Sequence, residues 1–260
     1  MRRAKKISNK KKKSIWRKKL FALAIVFGVI ILAGFYFLVF SPYFQIKETR
    51  IEGAQKISED ILRDFANGAL VSKIFFWPTK SIFTADVQAI EKKCLAQFPA
   101  INEINIKKKL PAGLLIKVVE RMPVGQLCSS DKCFIIDSQA IIFEQISSLS
   151  TIAGPIIKLG GDRALVLGEA VLNKEQMAGA LGLYKSATEK YGIELKEIAV
   201  SDKKLTAITN SGWEIYFNTD NDIAKQISNF EAVVDKLLSP EKRKGLEYID
   251  LRFGDKVYYK

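Results

Sequence analysis

Few residues in this chain could do covalent chemistry. It has no histidine, which removes Ser-His-Asp and Cys-His catalysis and every histidine metal site. The cysteines are Cys94, Cys128 and Cys133. Cys128 and Cys133 bracket Ser129-Ser130-Asp131-Lys132, a turn between apolar residues, so a disulfide across the turn and a pair of free thiols both stay open, with Cys94 buried and unpaired. Two cysteines fall short of the four ligands that structural zinc takes. Asp137, Glu144, Asp162 and Glu169 are the carboxylates from which an acid/base pair for glycan cleavage would be drawn, but their spacing demands no shared site and they read as solvated. Gly160-Gly161-Asp162 lacks the Gly-Lys-Ser or Gly-x-x-Gly context that would hold a phosphate, and reads as a turn. Glu120-Arg121 closes an alternating segment and reads as a surface or inter-domain ion pair. No enzyme activity, cofactor, metal or small-molecule substrate is expected.

What remains is binding. A closing strand tends to be an edge, and an edge offers unpaired backbone groups to another chain. Leu246 to Tyr259 is the candidate, with an internal or merely solvated strand as the alternative.

The elements that must position such an edge begin with an apolar, uncharged run, Leu20 to Phe40, preceded by nineteen residues with eleven Lys or Arg and no acid. Twenty-one helical residues reach roughly 31 Å, enough for a hydrocarbon core of about 30 Å. The basic flank, Arg2 to Lys19, predicts a cytoplasmic amino end, and residues 41 to 260 outside the cytoplasm. A cleaved signal peptide is the rival, but such cores run about 7 to 15 residues and end in small residues, whereas this one ends Leu38-Val39-Phe40-Ser41-Pro42. Ala24-x-x-x-Gly28 offers close helix contact, with lipid contact alone as the other reading. The net charge of +13 suggests nucleic acid only until it is divided. Removing the eleven basic residues of the tail from 41 Lys and Arg leaves 30 against 28 Asp and Glu, so the main body is near +2 and no nucleic-acid face is indicated.

Beyond the span, Phe44 to Lys47 with Thr49 to Glu52 alternates as a strand that Gly53 ends. Ser58 is placed to cap a helix carrying Ile61, Leu62 and Phe65, ending by Asn67-Gly68. Thr84 is placed to cap a second with Val87, Ile90, Cys94, Leu95 and Phe98, stopped by Pro99. Ile101, Ile104 and Ile106 lead through the turn Leu110 to Gly113 into Leu114, Ile116, Val118 and Glu120. The order is strand, helix, helix, strand, strand. Val71 to Phe83 interrupts it with an apolar loop, Phe75-Phe76-Trp77-Pro78, that either packs on the domain's own helices or puts Phe76 and Trp77 at the lipid interface.

After Pro123 short strands and turns take over. Phe134 to Asp137 and Ile141 to Phe143 flank Ser138-Gln139-Ala140 as a hairpin, Ser147 to Thr151 is a polar link, and Ile156 to Leu159 is a further strand. Asn173 with Gln176 has capping-box spacing before Met177, Leu181, Tyr184, Ala187 and Tyr191. A second helix begins near Asp220 to Asp222 and carries Ile223, Ile227, Phe230, Val234 and Leu237. Strands at Leu195 to Val200, Leu205 to Thr209, Trp213 to Asn218 and Leu246 to Phe253 follow the same alternation, with Asn210-Ser211-Gly212 as a turn. The expected class is α+β: a single-pass anchor, a β-α-α-β-β domain, then a mainly antiparallel β domain with two packed helices.

These residues resemble the FtsQ/DivIB bacterial cell-division family across nearly the whole chain. Phe98-Pro99-Ala100-Ile101 through Leu110-Pro111, Leu115, Ile116, Val118 and Glu120-Arg121-Met122-Pro123 is similar to its P-x-V, x-x-P-x-x-L-x-I-x-V-x-E-R-x-P signature. Ile51-Glu52-Gly53 with Ile57-Ser58 resembles the start of its POTRA domain, Ile136-Asp137 with Ile142-Phe143 the turn opening its β domain, and Ile249-Asp250-Leu251-Arg252-Phe253 its closing strand. Ala140 departs from the pattern, standing where the family commonly has glycine. The Cys128/Cys133 pair and the loop around Trp77 are not family hallmarks.

The resemblance implies a basic cytoplasmic tail at 1–19, a transmembrane helix at 20–40, a POTRA-like domain at 43–122 and an FtsQ-type β domain at 123–260. It implies a non-catalytic divisome scaffold at the septum of the cytoplasmic membrane that gathers FtsB/DivIC-like and FtsL-like bitopic proteins and influences septal peptidoglycan synthesis. In the family a partner strand adds near the carboxyl end of the β domain, which carries over to Arg252 and Phe253 and more loosely to Val257, Tyr258 and Tyr259. A membrane-anchored wall enzyme would need a carboxylate pair. A POTRA-bearing chaperone or secretion component would carry a strand-rich barrel, for which there is no room after Val124.

Overall fold

The computed structural model describes residues 10–74, 76–129, 132–147, 154–161 and 164–260, with side chains from Trp16 onward. The first nine residues, Phe75, the Ser130-Asp131 turn, most of the polar link after Ser147, and Asp162 lie outside them. The apolar run sits in helix α1, Lys10–Phe40. Among the described residues α1 holds the one stretch long and apolar enough to span a membrane, Trp16–Phe40, and it is almost wholly unburied by protein. The chain has two compact units. One comprises the described residues up to Cys94 with Ile104–Val118, the other Leu95–Glu103 with Val119–Lys260.

Between the span and Pro123, β1 (Glu48–Glu52), α2 (Glu59–Ala69), α3 (Val87–Gln97), β4 (Ile101–Lys109) and β5 (Gly113–Glu120) follow one another, with a small hairpin of β2 (Ser72–Ile74) and β3 (Trp77–Thr79) between the helices. The apolar stretch after Val71 is therefore not a plain loop. The sheet order is β1-β5-β4, and β1 lies parallel to β5 with Ile51 opposite Ile116. Alternation along β5 buries Leu114, Ile116 and Val118, against which Leu62, Ala66, Ile90 and Cys94 supply the helical half of the core.

Three local expectations fail here. Phe44 to Lys47 does not extend β1: Ile46 N donates to Lys80 O at 3.0 Å, Lys47 N to Ala112 O at 2.9 Å, and Phe44 O accepts from Ile82 N at 2.9 Å. Ser58 stands at the start of α2, but its side chain makes no capping bond. Thr84 turns its hydroxyl to Ser81 O, and Asp86 caps α3 by accepting from Ala89 N at 3.0 Å.

Gly53 ends β1 at φ 91°, and a Cβ there would stand 2.1 Å from Val118 O. Gly53→Ala would combine left-handed strain with a clash against backbone that cannot swing aside, so thermal unfolding should show a loss exceeding about 1 kcal/mol. An unchanged midpoint would contradict this reading of the close approach.

The second unit is built on a nine-stranded sheet, β14-β13-β12-β11-β10-β9-β6-β7-β8. Its strands are β6 (Gly125–Ser129), β7 (Lys132–Ile136), β8 (Ile142–Ile146), β9 (Ile156–Leu159), β10 (Leu195–Ser201), β11 (Lys204–Thr209), β12 (Glu214–Asn218), β13 (Tyr248–Phe253) and β14 (Lys256–Tyr259). Five of the eight pairings are antiparallel; β6–β9, β9–β10 and β12–β13 are parallel. Helices α4 (Lys174–Tyr184) and α5 (Ile223–Leu237) pack together on it. Their Met177, Ala180, Leu183, Phe230, Val233 and Val234 join Ile198, Leu205, Ile215, Phe217, Ile249 and Leu251 in one buried cluster. The helices approach closely, since a Cβ on Gly182 would meet Ile227 Cδ1 at 2.4 Å. Asn173 and Gln176 form the full capping box of α4, and Asp222 caps α5 by accepting from Lys225 N.

Cys128 and Cys133, facing each other across β6 and β7, are bonded at 2.03 Å, and Cys94 is free and buried. One polar reading changes and another narrows. Asp137 is not a solvated carboxylate, being 5% exposed, and Arg121, expected in a surface or inter-domain pair, makes a buried pair with it. The same carboxylate accepts from Gln139 N and Ile141 N, both at 2.9 Å. That holds the turn in which Ala140, fully buried, takes φ 60°. Glu144 and Glu169 are exposed.

Candidate partner-binding edge

The closing segment alternates from Tyr248 to Arg252, and its pairing with β14 shifts register between Asp250 and Phe253. Ile249 and Leu251 enter the core fully buried, which turns Tyr248, Asp250 and Arg252 to the opposite face of β13. After Gly254-Asp255 the chain returns as β14, antiparallel, with Asp250 opposite Tyr258, Ile249 opposite Tyr259 and Phe253 opposite Lys256. Paired residues share a face, so Tyr258 joins the outer group. Tyr216 enters from β12 by the same rule, between buried Ile215 and Phe217.

These side chains line an open groove of about 450 Å³ formed by Tyr216, Tyr248, Asp250, Arg252, Phe253 and Tyr258. Its floor is a bidentate pair, Arg252 Nε to Asp250 Oδ1 at 2.8 Å and Nη2 to Oδ2 at 2.5 Å. Burial pushes the Asp250 carboxyl up, but side-chain and backbone hydrogen bonds from Arg252, and its charge, outweigh that and hold it below the usual range. The hydrogen bond to Asp250 raises Arg252 in turn, so both stay ionised at neutral pH. The Arg252 guanidinium lies 5.1 Å from the Tyr216 ring and 5.7 Å from Phe253, and Lys204 Nζ sits 4.5 Å over Tyr216. Hydrogen bonding to Glu214, then burial, pushes the Tyr216 phenol up to about 12. Phe253 and Tyr258 meet edge to face at 5.3 Å.

Beside this groove β14 ends the sheet, and its outer side has no neighbouring strand among the described residues. Lys260 N donates to Tyr248 O at 3.2 Å. Antiparallel ladders alternate, so the backbone groups of Tyr258 turn inward as those of Lys260 do, while those of Val257 and Tyr259 turn out to the free edge. The opposite edge is different. Ile142 of β8 is engaged by residues 168–170, with Gly168 N to Ile142 O at 2.7 Å and Ile142 N to Glu169 O at 3.1 Å.

The structure brings Arg252, Phe253 and Tyr258 together, with Phe253 55% and Tyr258 49% exposed. It turns Val257 the other way, packed on the core, and sets Tyr259 at the sheet margin. Phe76 and Trp77 belong to the first unit, at the β2–β3 turn, where Phe76 is 93% exposed and Trp77 rests edge-on against Phe40. Neither is covered by α2 or α3 as the packing alternative requires. Tyr216, Tyr248, Asp250 and Lys204 were not singled out from sequence; the signal was the alternation of Tyr216 and Tyr248 with buried neighbours. Such an arrangement suits docking of an extended peptide: backbone groups for pairing, aromatic rings for anchoring and a fixed cation for orientation.

Comparison with known proteins adds two family profiles. One, described as POTRA domain, FtsQ-type, matches residues 44–121, and the other, cell division protein FtsQ/DivIB, C-terminal, matches residues 129–252. Cell division protein DivIB of Clostridium botulinum is 25% identical over 256 residues, covering 94% of this chain and 92% of the relative. DivIB of Clostridium acetobutylicum is 29% identical over 120 residues (46% of this chain), and FtsQ of Streptomyces venezuelae 24% over 129 (49%). These two alignments span 44% and 45% of the relatives' own lengths. The C-terminal family match stops at Arg252.

Proposed function

Given that the chain belongs to the FtsQ/DivIB family of cell-division proteins, we propose that it is a non-catalytic, single-pass scaffold of the bacterial divisome that binds partners by strand addition at β14 and so helps control septal peptidoglycan synthesis. The carrying observation is the free outer side of β14 beside the Tyr216–Arg252–Phe253 groove. FtsB/DivIC-like and FtsL-like bitopic proteins are the proposed partners. Residues 1–19 form the cytoplasmic tail, 20–40 the span in the cytoplasmic membrane, 43–122 the POTRA-like domain and 123–260 the β domain, the last two outside the cytoplasm.

Strand addition divides the work between backbone and side chains. A partner segment laid against β14 would pair with the groups of Val257 and Tyr259, and its outward side chains would meet Phe253 and Tyr258. Phe253 is the exposed ring nearest the turn, with an edge-on neighbour and a guanidinium beside it, which are the attributes of an interface anchor. Titrating the solubilised full chain with the FtsB/DivIC-like protein of the same organism should therefore show Phe253→Ala weakening affinity by about 30-fold, equivalent to about 2 kcal/mol. Its circular dichroism should be unchanged. Equal affinity of mutant and wild type would remove Phe253 from the site, and a tagged chain distributed evenly around the cell, without a midcell ring, would count against the division role.

A further inference from the structure

The carboxyl end of α1 is fastened, not free. A helix leaves its last four carbonyls without internal partners, and here Leu38 O accepts from Ser81 Oγ at 2.8 Å while Val39 O accepts from Thr79 Oγ1 at 2.7 Å and Gln45 Nε2 at 2.9 Å. Gln45 Oε1 in turn accepts from Lys80 N at 2.8 Å. Val39, Thr79 and Ser81 are 2%, 4% and 0% exposed. Thr79 belongs to β3, so one of the hydrogen bonds that close the helix is made by the strand carrying Trp77.

Aromatic rings continue the connection. Phe40 meets Trp77 at 6.0 Å, Phe37 meets Phe44 at 5.8 Å and Phe44 meets Phe83 at 5.1 Å. On the outside of this collar Phe76, Trp77, Tyr43 and Phe83 stay open to the surroundings at 93, 66, 61 and 47% exposure. Between Asp64 and Asp86 the sequence has no acid, while Lys73 and Lys80, flanking the hairpin, are exposed. A patch this apolar on a water-facing surface calls for a cover.

The depth of the patch follows from the helix. Arg17, Lys18 and Lys19 stand outside the uncharged run, and Leu20 to Phe40 rises roughly 31 Å, matching a hydrocarbon core of about 30 Å. Phe40, its last residue, therefore lies at the outer boundary of that core, and Trp77, whose ring meets it, lies at the same level, where Trp and Tyr rings are favoured. We infer that the β2–β3 hairpin is embedded in the bilayer interface, with Phe76 and Trp77 at the headgroup–acyl boundary and Lys73 and Lys80 at lipid phosphates. The occupant of the patch is lipid. The hairpin and the bonded helix end act as one footing that holds the first unit at a set angle to the membrane instead of letting it swivel on a tether.

This inference rests on α1 spanning the membrane, and the test reads that separately. The full chain is reconstituted in phosphatidylcholine–phosphatidylglycerol vesicles whose acyl chains carry bromine near the headgroup or near the chain end. The emission lost from Trp16→Phe to Trp16→Phe/Trp77→Phe is that of Trp77, and the emission lost from Trp77→Phe to the same double variant is that of Trp16, which reports the span; Trp213 is common to all three. Expected is a blue-shifted Trp77 signal that loses most of its intensity to shallow bromines and little to deep ones. A red-shifted signal quenched by iodide overturns the inference, and so does a blue-shifted signal indifferent to bromine, which would mean a protein cover. If Trp16 also ignores bromine, the anchor itself has failed.

A nitroxide on Phe76→Cys gives an independent reading at a site too exposed to disturb folding. Burial, with Glu91 nearby, pushes the Cys94 thiol up to about 11, which keeps it out of the labelling reaction. The label should collide with oxygen more than with a water-soluble nickel complex, and the reverse order overturns the inference.

Discussion

Asp137→Ala is expected to destabilise the second unit by about 3 to 5 kcal/mol, a melting shift on the order of 10 °C for a domain of this size. Three separate hydrogen-bond debts arise from the one change. The Arg121 guanidinium, whose side chain is 12% exposed, keeps Pro99 O at 3.0 Å and Asn102 Oδ1 at 3.3 Å but loses its countercharge in a site with little water. Gln139 N and Ile141 N lose their acceptor. The turn they fix holds Ala140 at φ 60°, a conformation that costs about 1 kcal/mol or more for a residue with a Cβ. The pair as a whole is worth less than this. Replacing both partners by apolar groups, Asp137→Ala with Arg121→Met, should recover part of the loss, because no buried charge is then left alone. Trp213 lies in the same unit at 3% exposure, so in a Trp16→Phe/Trp77→Phe background its fluorescence during denaturant unfolding reports this unit directly. A loss under about 1 kcal/mol would mean that the pair behaves as an exposed one.

That pair also marks where reading the sequence stops working. An unbroken apolar run located α1, and period located the alternation of β5, the stripe of α5 and the alternating residues of β12 and β13, because in each the signal lies within the element. The Asn173–Gln176 capping box was legible for the same reason, both members lying within one turn. Arg121 was read as half of a surface or inter-domain pair without its partner, because Asp137 is 16 residues away and charge pairing at that range has no period. Ser58 and Thr84 have the composition of caps, but Ser58 makes no capping bond and the Thr84 hydroxyl is given to Ser81 O. Phe44 to Lys47 has a strand's alternation, yet its backbone groups are taken by residues 80, 82 and 112. At the candidate edge, Arg252 and Phe253 were visible through a family resemblance, whereas Tyr216 and Lys204 come from strands some 30 to 50 residues earlier that only the sheet order sets alongside. Val257 was named with its neighbours, and alternation by itself could have set it apart: with Tyr258 facing out, Val257 must face in.

Tyr259→Pro should abolish partner binding by strand addition while leaving the fold in place. The amide of Tyr259 points away from β13, since the inward positions belong to Tyr258 and Lys260, so proline removes no bond of the existing ladder. Proline is tolerated on an edge strand for this reason, and its φ near −65° does not exclude an extended chain. What it removes is the donor that an added strand must use, and its ring occupies the space the incoming carbonyl would fill. Leaving that carbonyl unpaired in a closed interface costs about 1 to 3 kcal/mol, or about 5- to 150-fold in affinity, before the steric term is added. Tyr259→Ala is the necessary companion. It deletes the ring but keeps the amide, and because Tyr259 sits opposite Ile249 at the sheet margin, away from the Tyr216–Arg252 groove, its effect should be several-fold smaller than that of proline. Calorimetric titration of both variants against the FtsB/DivIC-like partner, with Phe253→Ala alongside, separates the two contributions. If proline and alanine weaken binding equally, the interaction runs through the ring and not the backbone, and strand addition at β14 is wrong. If only Phe253→Ala has an effect, the partner lies in the groove of β12 and β13 without extending the sheet.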